Sequence, residues 1–211
     1  MTIHNNMSRT ALWFRSLLLP DGWADDVRLS VADGRIETLS RNTPAETGDE
    51  IHEIGLPGLP NLHSHAFQRG MAGVTEQRGN TEDSFWTWRE AMYRFVDHMG
   101  PDEVEAIAAQ AFLEMLESGF TRVGEFHYVH HDPTGTPYAD IAELATRIAA
   151  AASETGIALT LLPVFYLHAG FGGLPAVPGQ RRFTNDVDRY GRLIDASRKA
   201  VSSLPGAMVG I

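Results

Sequence analysis

His63 and His65 stand two residues apart at the end of the run Leu56-Pro57-Gly58-Leu59-Pro60-Asn61-Leu62-His63-Ser64-His65. Successive side chains on a strand point to opposite faces, so residues i and i+2 share one. Both imidazoles can then meet at one point just past the strand end, the arrangement a divalent metal requires. With nine histidines among 211 residues, a His-x-His pair can arise by chance, so its surroundings carry the argument. Here the pair closes an apolar strand punctuated by proline and glycine, and polar Gln68-Arg69-Gly70 follows. The sequence contains no cysteine, which excludes disulfides and thiolate ligands. A metal here must be held by histidine and carboxylate.

Three further segments carry side chains capable of chemistry. Asp83-Ser84-Phe85-Trp86-Thr87-Trp88-Arg89-Glu90 sets two tryptophans beside an arginine. It reads equally as an aromatic packing cluster with a solvated Arg89, or as an aromatic-walled pocket whose guanidinium forks onto a carboxylate. Phe126-His127-Tyr128-Val129-His130-His131 forms a second aromatic and histidine cluster at a strand end. Alternation puts Glu125 and His127 on one face and Gly124, Phe126 and Tyr128 on the other, and spacing alone does not choose between them. Adjacent His130 and His131 cannot easily chelate one ion from an extended strand, and are expected to serve the loop. His168-Ala169-Gly170-Phe171-Gly172-Gly173 follows a strand and could line a site, or its glycines could serve only the turn. Asp186 and Asp188 read as a solvated helix start.

The elements that must position these residues fall into two textures. Residues 11–54 are β-rich: Val27, Leu29 and Val31 alternate with Arg28 and Ser30, and Asp33-Gly34 turns the chain into a further strand over 35–39. Residues 41–50 are polar, contain Pro44 and Gly48, and read as a surface loop. From Leu56 onward strands alternate with helices. Pro101 opens a helix whose apolar residues run from Val104 to Leu116 at helical spacing, with Gly119 as its stop. A strand over 121–129 follows, then a helix capped by Asp140 and closed by Gly156, a buried strand over 157–165, and a third helix from Val187 to Leu204. Met208-Val209-Gly210-Ile211 reads as the opening of another buried strand. The β-α-β order implies parallel strands joined by crossovers. No Gly-x-Gly-x-x-Gly follows the first strand, so a dinucleotide fold has no support. Metal-type residues gather at strand C-terminal ends, where (β/α)8 barrels carry their active sites.

The net charge of −10, from 17 Lys+Arg against 27 Asp+Glu, argues against nonspecific binding to nucleic acid or anionic membranes. The 43% hydrophobic content is that of an ordinary globular protein, and no apolar run is long enough to span a bilayer. Residues 1–6 lack the form of a secretory signal, so the cytoplasm is the expected location.

Residues 56–69, ending in His63-Ser64-His65-Ala66-Phe67-Gln68-Arg69, resemble the first barrel strand of amidohydrolase-superfamily deaminases. More narrowly they resemble the formimidoylglutamate deiminase family of histidine degradation. The segments 83–90, 125–131 and 168–173, with Gly179-Gln180-Arg181-Arg182-Phe183, support the narrower match, which extends from Ile54 to Ile211. The resemblance implies an α/β fold: residues 1–55 as the N-terminal part of a small β-sandwich domain, and 56–211 as the first half of a (β/α)8 metallo-dependent hydrolase barrel. It implies zinc as cofactor with His63 and His65 as its first two ligands, and Gln68, Arg89 and Tyr128 as contacts to the glutamate part of the substrate. It therefore favours the pocket reading of Arg89 and the Tyr128 face of the strand. The implied reaction is hydrolysis of N-formimino-L-glutamate to N-formyl-L-glutamate and ammonia, in a full-length form expected to be a homodimer.

The family's remaining metal ligands, a His and an Asp, and its proton-shuttling Glu lie on later barrel strands, so no residue here is assigned as general acid or base. The expectation is a barrel truncated at its fourth strand, inactive and prone to associate when expressed alone. The alternatives are a related deaminase acting on a heterocycle, and a non-catalytic half-barrel.

Overall fold

The computed structural model describes residues 9–75 and 84–211. The N-terminal residues read above for a signal, and Asp83, lie outside them. The chain divides into two units, Met1–Gly58 and Leu59–Ile211.

The first unit holds β1 (Arg9–Leu19), β2 (Gly22–Ala32), β3 (Arg35–Ser40) and β4 (Glu50–Gly55). They form one sheet in the order β3-β2-β1-β4, antiparallel except where β4 runs parallel to β1. The β2–β3 turn takes Asp33 and Gly34 through φ of 51° and 71°, the left-handed pair that a two-residue hairpin of this twist demands. Alternation along β2 buries Val27 and Leu29, which pack with Leu17 from β1. The 41–50 loop is held by Arg28, whose guanidinium forks onto Asp49 through two 2.8 Å hydrogen bonds.

The second unit begins with β5 (Leu59–Ser64) and a 3-10 turn over Ala66–Met71. Then come α1 (Phe85–Val96), α2 (Pro101–Glu117), β6 (Phe120–His127), α3 (Glu143–Thr155), β7 (Ala158–Pro163), α4 (Val187–Ala200) and β8 (Met208–Val209). The four strands pair in parallel and in chain order, β5-β6-β7-β8, with a helix in every crossover. This α/β connectivity is that of part of a (β/α)8 barrel. Helix boundaries follow local chemistry. Pro101 occupies the first turn of α2, and Glu103 accepts from the Gly100 N–H at 2.9 Å. Gly156 ends α3 in the left-handed region, and Asp186 caps α4 by accepting from the Arg189 N–H at 2.7 Å. Val104, Ala108 and Phe112 of α2 and Leu144 and Ile148 of α3 join Val123, Leu159 and Leu161 of the sheet in one buried core.

Three expectations shift. The strand foreseen over 121–129 stops at His127, because the His130 and His131 N–H groups turn to the Arg182 carbonyl (2.9 and 3.0 Å). Asp140 precedes α3 without capping it; its carboxylate accepts from the Ala142 N–H in a turn. Residues 85–96, read only as an aromatic segment, form α1, opened by reciprocal Ser84–Thr87 capping bonds.

Arg182 is wholly buried at 0% exposure and donates to carbonyls of His131 (2.7 Å), Met99 (2.9 Å) and Val96. It ties the end of α1 and the loop after β6 to the segment before α4. Replacement by leucine leaves these acceptors without donors in a dry interior. Arg182→Leu is expected to cost about 3 kcal/mol or more of stability, read by urea denaturation. A loss below about 1 kcal/mol would show that the clasp is not structural.

Candidate active site

His63 lies near the end of β5 and His65 one residue beyond it, and their side chains turn to the same side. The two Nε2 atoms are 3.0 Å apart, with the rings edge-on at a centroid separation of 4.6 Å. A tetrahedral ion about 2.0–2.1 Å from each nitrogen would hold them about 3.3 Å apart, so the pair is already close to chelating geometry. His65 Nδ1 lies 3.0 Å from the Phe126 carbonyl. A carbonyl can only accept, so Nδ1 carries the proton and Nε2 keeps its lone pair. Burial holds the His65 pKa below its ordinary value, which preserves that neutral form. Glu125 braces the backbone around this residue: its Oε1 accepts from the Ala66 N–H at 2.8 Å. The convergent Nε2 atoms fit a metal ion. Among the described residues no third His, Asp or Glu gathers with them.

Beside the histidines lies a cavity of about 400 Å³. One wall is α1, whose Phe85, Trp88, Arg89, Met92 and Tyr93 all line it. Their spacing of three, four, seven and eight residues puts them on one helix face. The Arg89 guanidinium carbon sits 4.5 Å from the Trp86 ring centroid and 5.7 Å from that of Tyr93. Cation–π attraction holds the charge in place, and Arg89 Nε is buried without a hydrogen-bond partner. The floor is Phe183, on which the rings of Tyr128, Tyr166 and Tyr93 stand at centroid distances of 5.0, 5.9 and 6.0 Å. Gln68 Nε2 donates to the Tyr128 hydroxyl at 2.9 Å, and burial raises the Tyr128 pKa, so the phenol stays protonated. Gly179 lies flat against Tyr93, where a side chain would strike the ring.

The structure thus places His65, Gln68, Arg89 and Tyr128 on one cavity, with His63 joined to it through His65. Phe126 and Tyr128 face the cavity, while Glu125 and His127 are buried on the other side of β6. His130 and His131 are buried and bonded to the Val164 and Thr184 carbonyls (3.1 and 2.9 Å). His168 is exposed and does not line the cavity. Arg69 is engaged in a two-point ion pair with Glu114. A larger groove of about 560 Å³ runs between α2 and α3, but its one cation, Arg147, is neutralised by Asp102, Glu105 and Glu143. Sequence reasoning missed Tyr93, Tyr166, Phe183 and the bracing role of Glu125. The helical spacing of residues 85–93 was a signal for Tyr93; the others are joined to the site only through tertiary contacts.

Comparison with known proteins adds a second line of observation. Residues 10–53 match the family model described as formimidoylglutamate deiminase HutF, N-terminal domain, and residues 54–199 match that of the amidohydrolase family. The chain is 53% identical over 190 residues to the formimidoylglutamate deiminase of Pseudomonas aeruginosa, covering 90% of this chain and 42% of that relative. It superposes on the crystal structure of an amidohydrolase from Brucella melitensis with a TM-score of 0.91 at 53% identity, over 95% of this chain and 45% of the other. Atrazine chlorohydrolase TrzN from Arthrobacter aurescens, in complex with zinc, matches with a TM-score of 0.67 at 18% identity, over 96% of this chain and 46% of the other. At that identity the likeness is one of fold. The chain therefore spans less than half the length of the relatives it matches.

Burial shifts two groups beneath the site in opposite directions. Burial holds the Glu125 carboxyl up at about 7 and the His127 imidazole down at about 4. Glu125 binds its proton more tightly in the folded chain, so its contribution is full below the ordinary value of 4.5 and is lost as pH rises through 7. His127 binds its proton less tightly when folded, so its contribution is full above 6.5 and is lost as pH falls through 4. Glu125→Gln removes only the first effect. Between pH 5 and pH 8 the metal-free variant is expected to gain roughly 2–3 kcal/mol relative to the parent, measured by urea denaturation at both values. A difference independent of pH would show that Glu125 is not held as the neutral acid.

Proposed function

The chain belongs to the amidohydrolase family, and from that premise we propose that it supplies the metal-binding histidines and the carboxylate-binding cavity of a zinc-dependent deiminase. The proposed substrate is N-formimino-L-glutamate, and the products are N-formyl-L-glutamate and ammonia, a step of histidine degradation. The observation that carries the reading is Arg89, a guanidinium held by aromatic rings in the cavity that His65 also lines. The 53% identity to a formimidoylglutamate deiminase supports it independently.

His63 and His65 would hold zinc through their Nε2 atoms. Zinc, when bound, supplies a Lewis acid and a water activated at neutral pH. The chain's own residues do the rest. Arg89 offers a planar fork of donors to a substrate carboxylate. The Gln68–Tyr128 pair adds neutral hydrogen-bonding groups to the same cavity. Anchoring the glutamate portion at this end fixes where the formimino carbon lies relative to the histidine pair, an orientation effect. Trp88, Phe126 and Phe183 give the cavity an apolar lining. No residue of this cavity is given the role of general acid or base. A neutral heterocycle would leave the Arg89 charge unmatched, which counts against a heterocyclic substrate.

Two measurements follow. In a chain that carries the complete barrel, His65→Ala is expected to lose the bound zinc that the parent retains after dialysis, by elemental analysis, while His168→Ala retains it. Equal zinc in all three proteins would remove the histidine pair from the metal site. In the active protein, Arg89→Met is expected to lower kcat/KM on N-formimino-L-glutamate by tenfold to a hundredfold or more, from the loss of about 1.5–3 kcal/mol of charged hydrogen bonding. An unchanged kcat/KM would exclude Arg89 from substrate recognition.

A further inference from the structure

Tyr166 lies just beyond β7, at the same strand end that carries His65 after β5 and Tyr128 after β6, and it lines the same cavity. Its hydroxyl lies 2.6 Å from Nε2 of Gln180, a side chain only 2% exposed. The direction of that hydrogen bond is determined by the other end of the amide. The Val177 N–H, which can only donate, points at Gln180 Oε1 from 2.9 Å. The oxygen of the amide therefore faces Val177 and the nitrogen faces Tyr166, so the phenol oxygen accepts. Its own hydrogen must go to another acceptor. Among the described residues Tyr166 Oη has no hydrogen-bond partner besides Gln180.

The remaining direction is the cavity. Phe183 supports Tyr166 from below at 5.9 Å, and Tyr93 stands on the same ring beneath the Arg89 guanidinium. The Arg89 charge acts on the Tyr166 phenol, and burial keeps the phenol protonated above its ordinary pKa. A hydroxyl donor and a guanidinium thus open into one aromatic-walled space where no carboxylate of the described chain pairs with Arg89. We propose that Tyr166 donates a hydrogen bond to the substrate carboxylate held by Arg89, and that buried Gln180 is the positioning residue that aims this donor into the cavity. The inference rests on the dicarboxylate reading above and extends it to Tyr166 and Gln180, neither of which is among the substrate contacts that the resemblance implies.

The test uses N-formyl-L-glutamate and its dimethyl ester, titrated calorimetrically into the folded, zinc-supplied protein. The parent is expected to bind the acid and to discriminate against the ester. Tyr166→Phe keeps the ring and removes the donor, so it should weaken the acid about tenfold or more and leave the ester unchanged. Gln180→Glu keeps the shape but reverses the polarity: one oxygen still accepts from Val177, while the other takes the Tyr166 hydrogen and turns it out of the cavity. This variant should reproduce the Tyr166→Phe loss although the hydroxyl is present, and the double variant should be no weaker than Tyr166→Phe. Should Gln180→Glu fail to fold, as its melting curve would show, Tyr166→Phe decides alone. Acid binding undiminished in Tyr166→Phe, or equal losses for acid and ester, overturns the proposal. A parent protein that does not favour the acid overturns the dicarboxylate reading itself, and this inference falls with it.

Discussion

The hydrogen bond from His65 Nδ1 to the Phe126 carbonyl is the constraint on which the site depends. It exists only because β5 and β6 pair in parallel with Ser64 beside Glu125, which brings the residue after β5 over the end of β6. One contact then does two things. It fixes the imidazole tautomer, so that Nε2 faces His63 with its lone pair, and it sets the ring between Phe126 and Tyr128 at 5.2 and 5.1 Å. Glu125 secures the same junction from below the sheet through the Ala66 N–H. Gly124 completes it, since a side chain there would press on the Leu62 carbonyl at 3.0 Å.

The cavity is organised by a different force. An arginine inside an apolar wall is costly unless its charge is compensated. Here the compensation comes from the faces of Trp86, Tyr93 and Phe85. Rings attract the guanidinium without consuming its N–H donors, which leaves the planar fork available to a ligand. The aromatic shell is in turn held by long-range clasps. Arg182 links α1 to the segment carrying Phe183, and Arg181 adds an ion pair to Asp97 at 2.8 Å. The wall that bears Arg89 is therefore tied to the floor beneath it.

Much of this was legible in the sequence wherever the signal was local. The His63–His65 spacing, the Asp33-Gly34 turn, Pro101 at a helix start and Gly156 at a helix end each act within a few residues, and each stands where its chemistry predicted. Strand alternation separated Glu125 and His127 from Phe126 and Tyr128, but which set faces the cavity is a tertiary fact. In α1, residues 85, 88, 89, 92 and 93 carry helical spacing beneath a dominant aromatic composition. The site roles of Tyr166, Gln180 and Phe183 have no local signature. Their roles arise from closure of the loop between β7 and α4, where buried partners such as Arg182 and the Tyr166–Thr184 bridge set the path of the chain.

The central claim is that the histidine pair and the arginine pocket serve one ligand. A crystal structure of the zinc-loaded protein with N-formyl-L-glutamate, using anomalous scattering at the zinc edge, tests it most directly. The account predicts a zinc peak about 2.0–2.1 Å from Nε2 of both His63 and His65, with a ligand carboxylate on the Arg89 guanidinium in the same cavity. Zinc bound elsewhere, or a carboxylate bound away from Arg89, would contradict it.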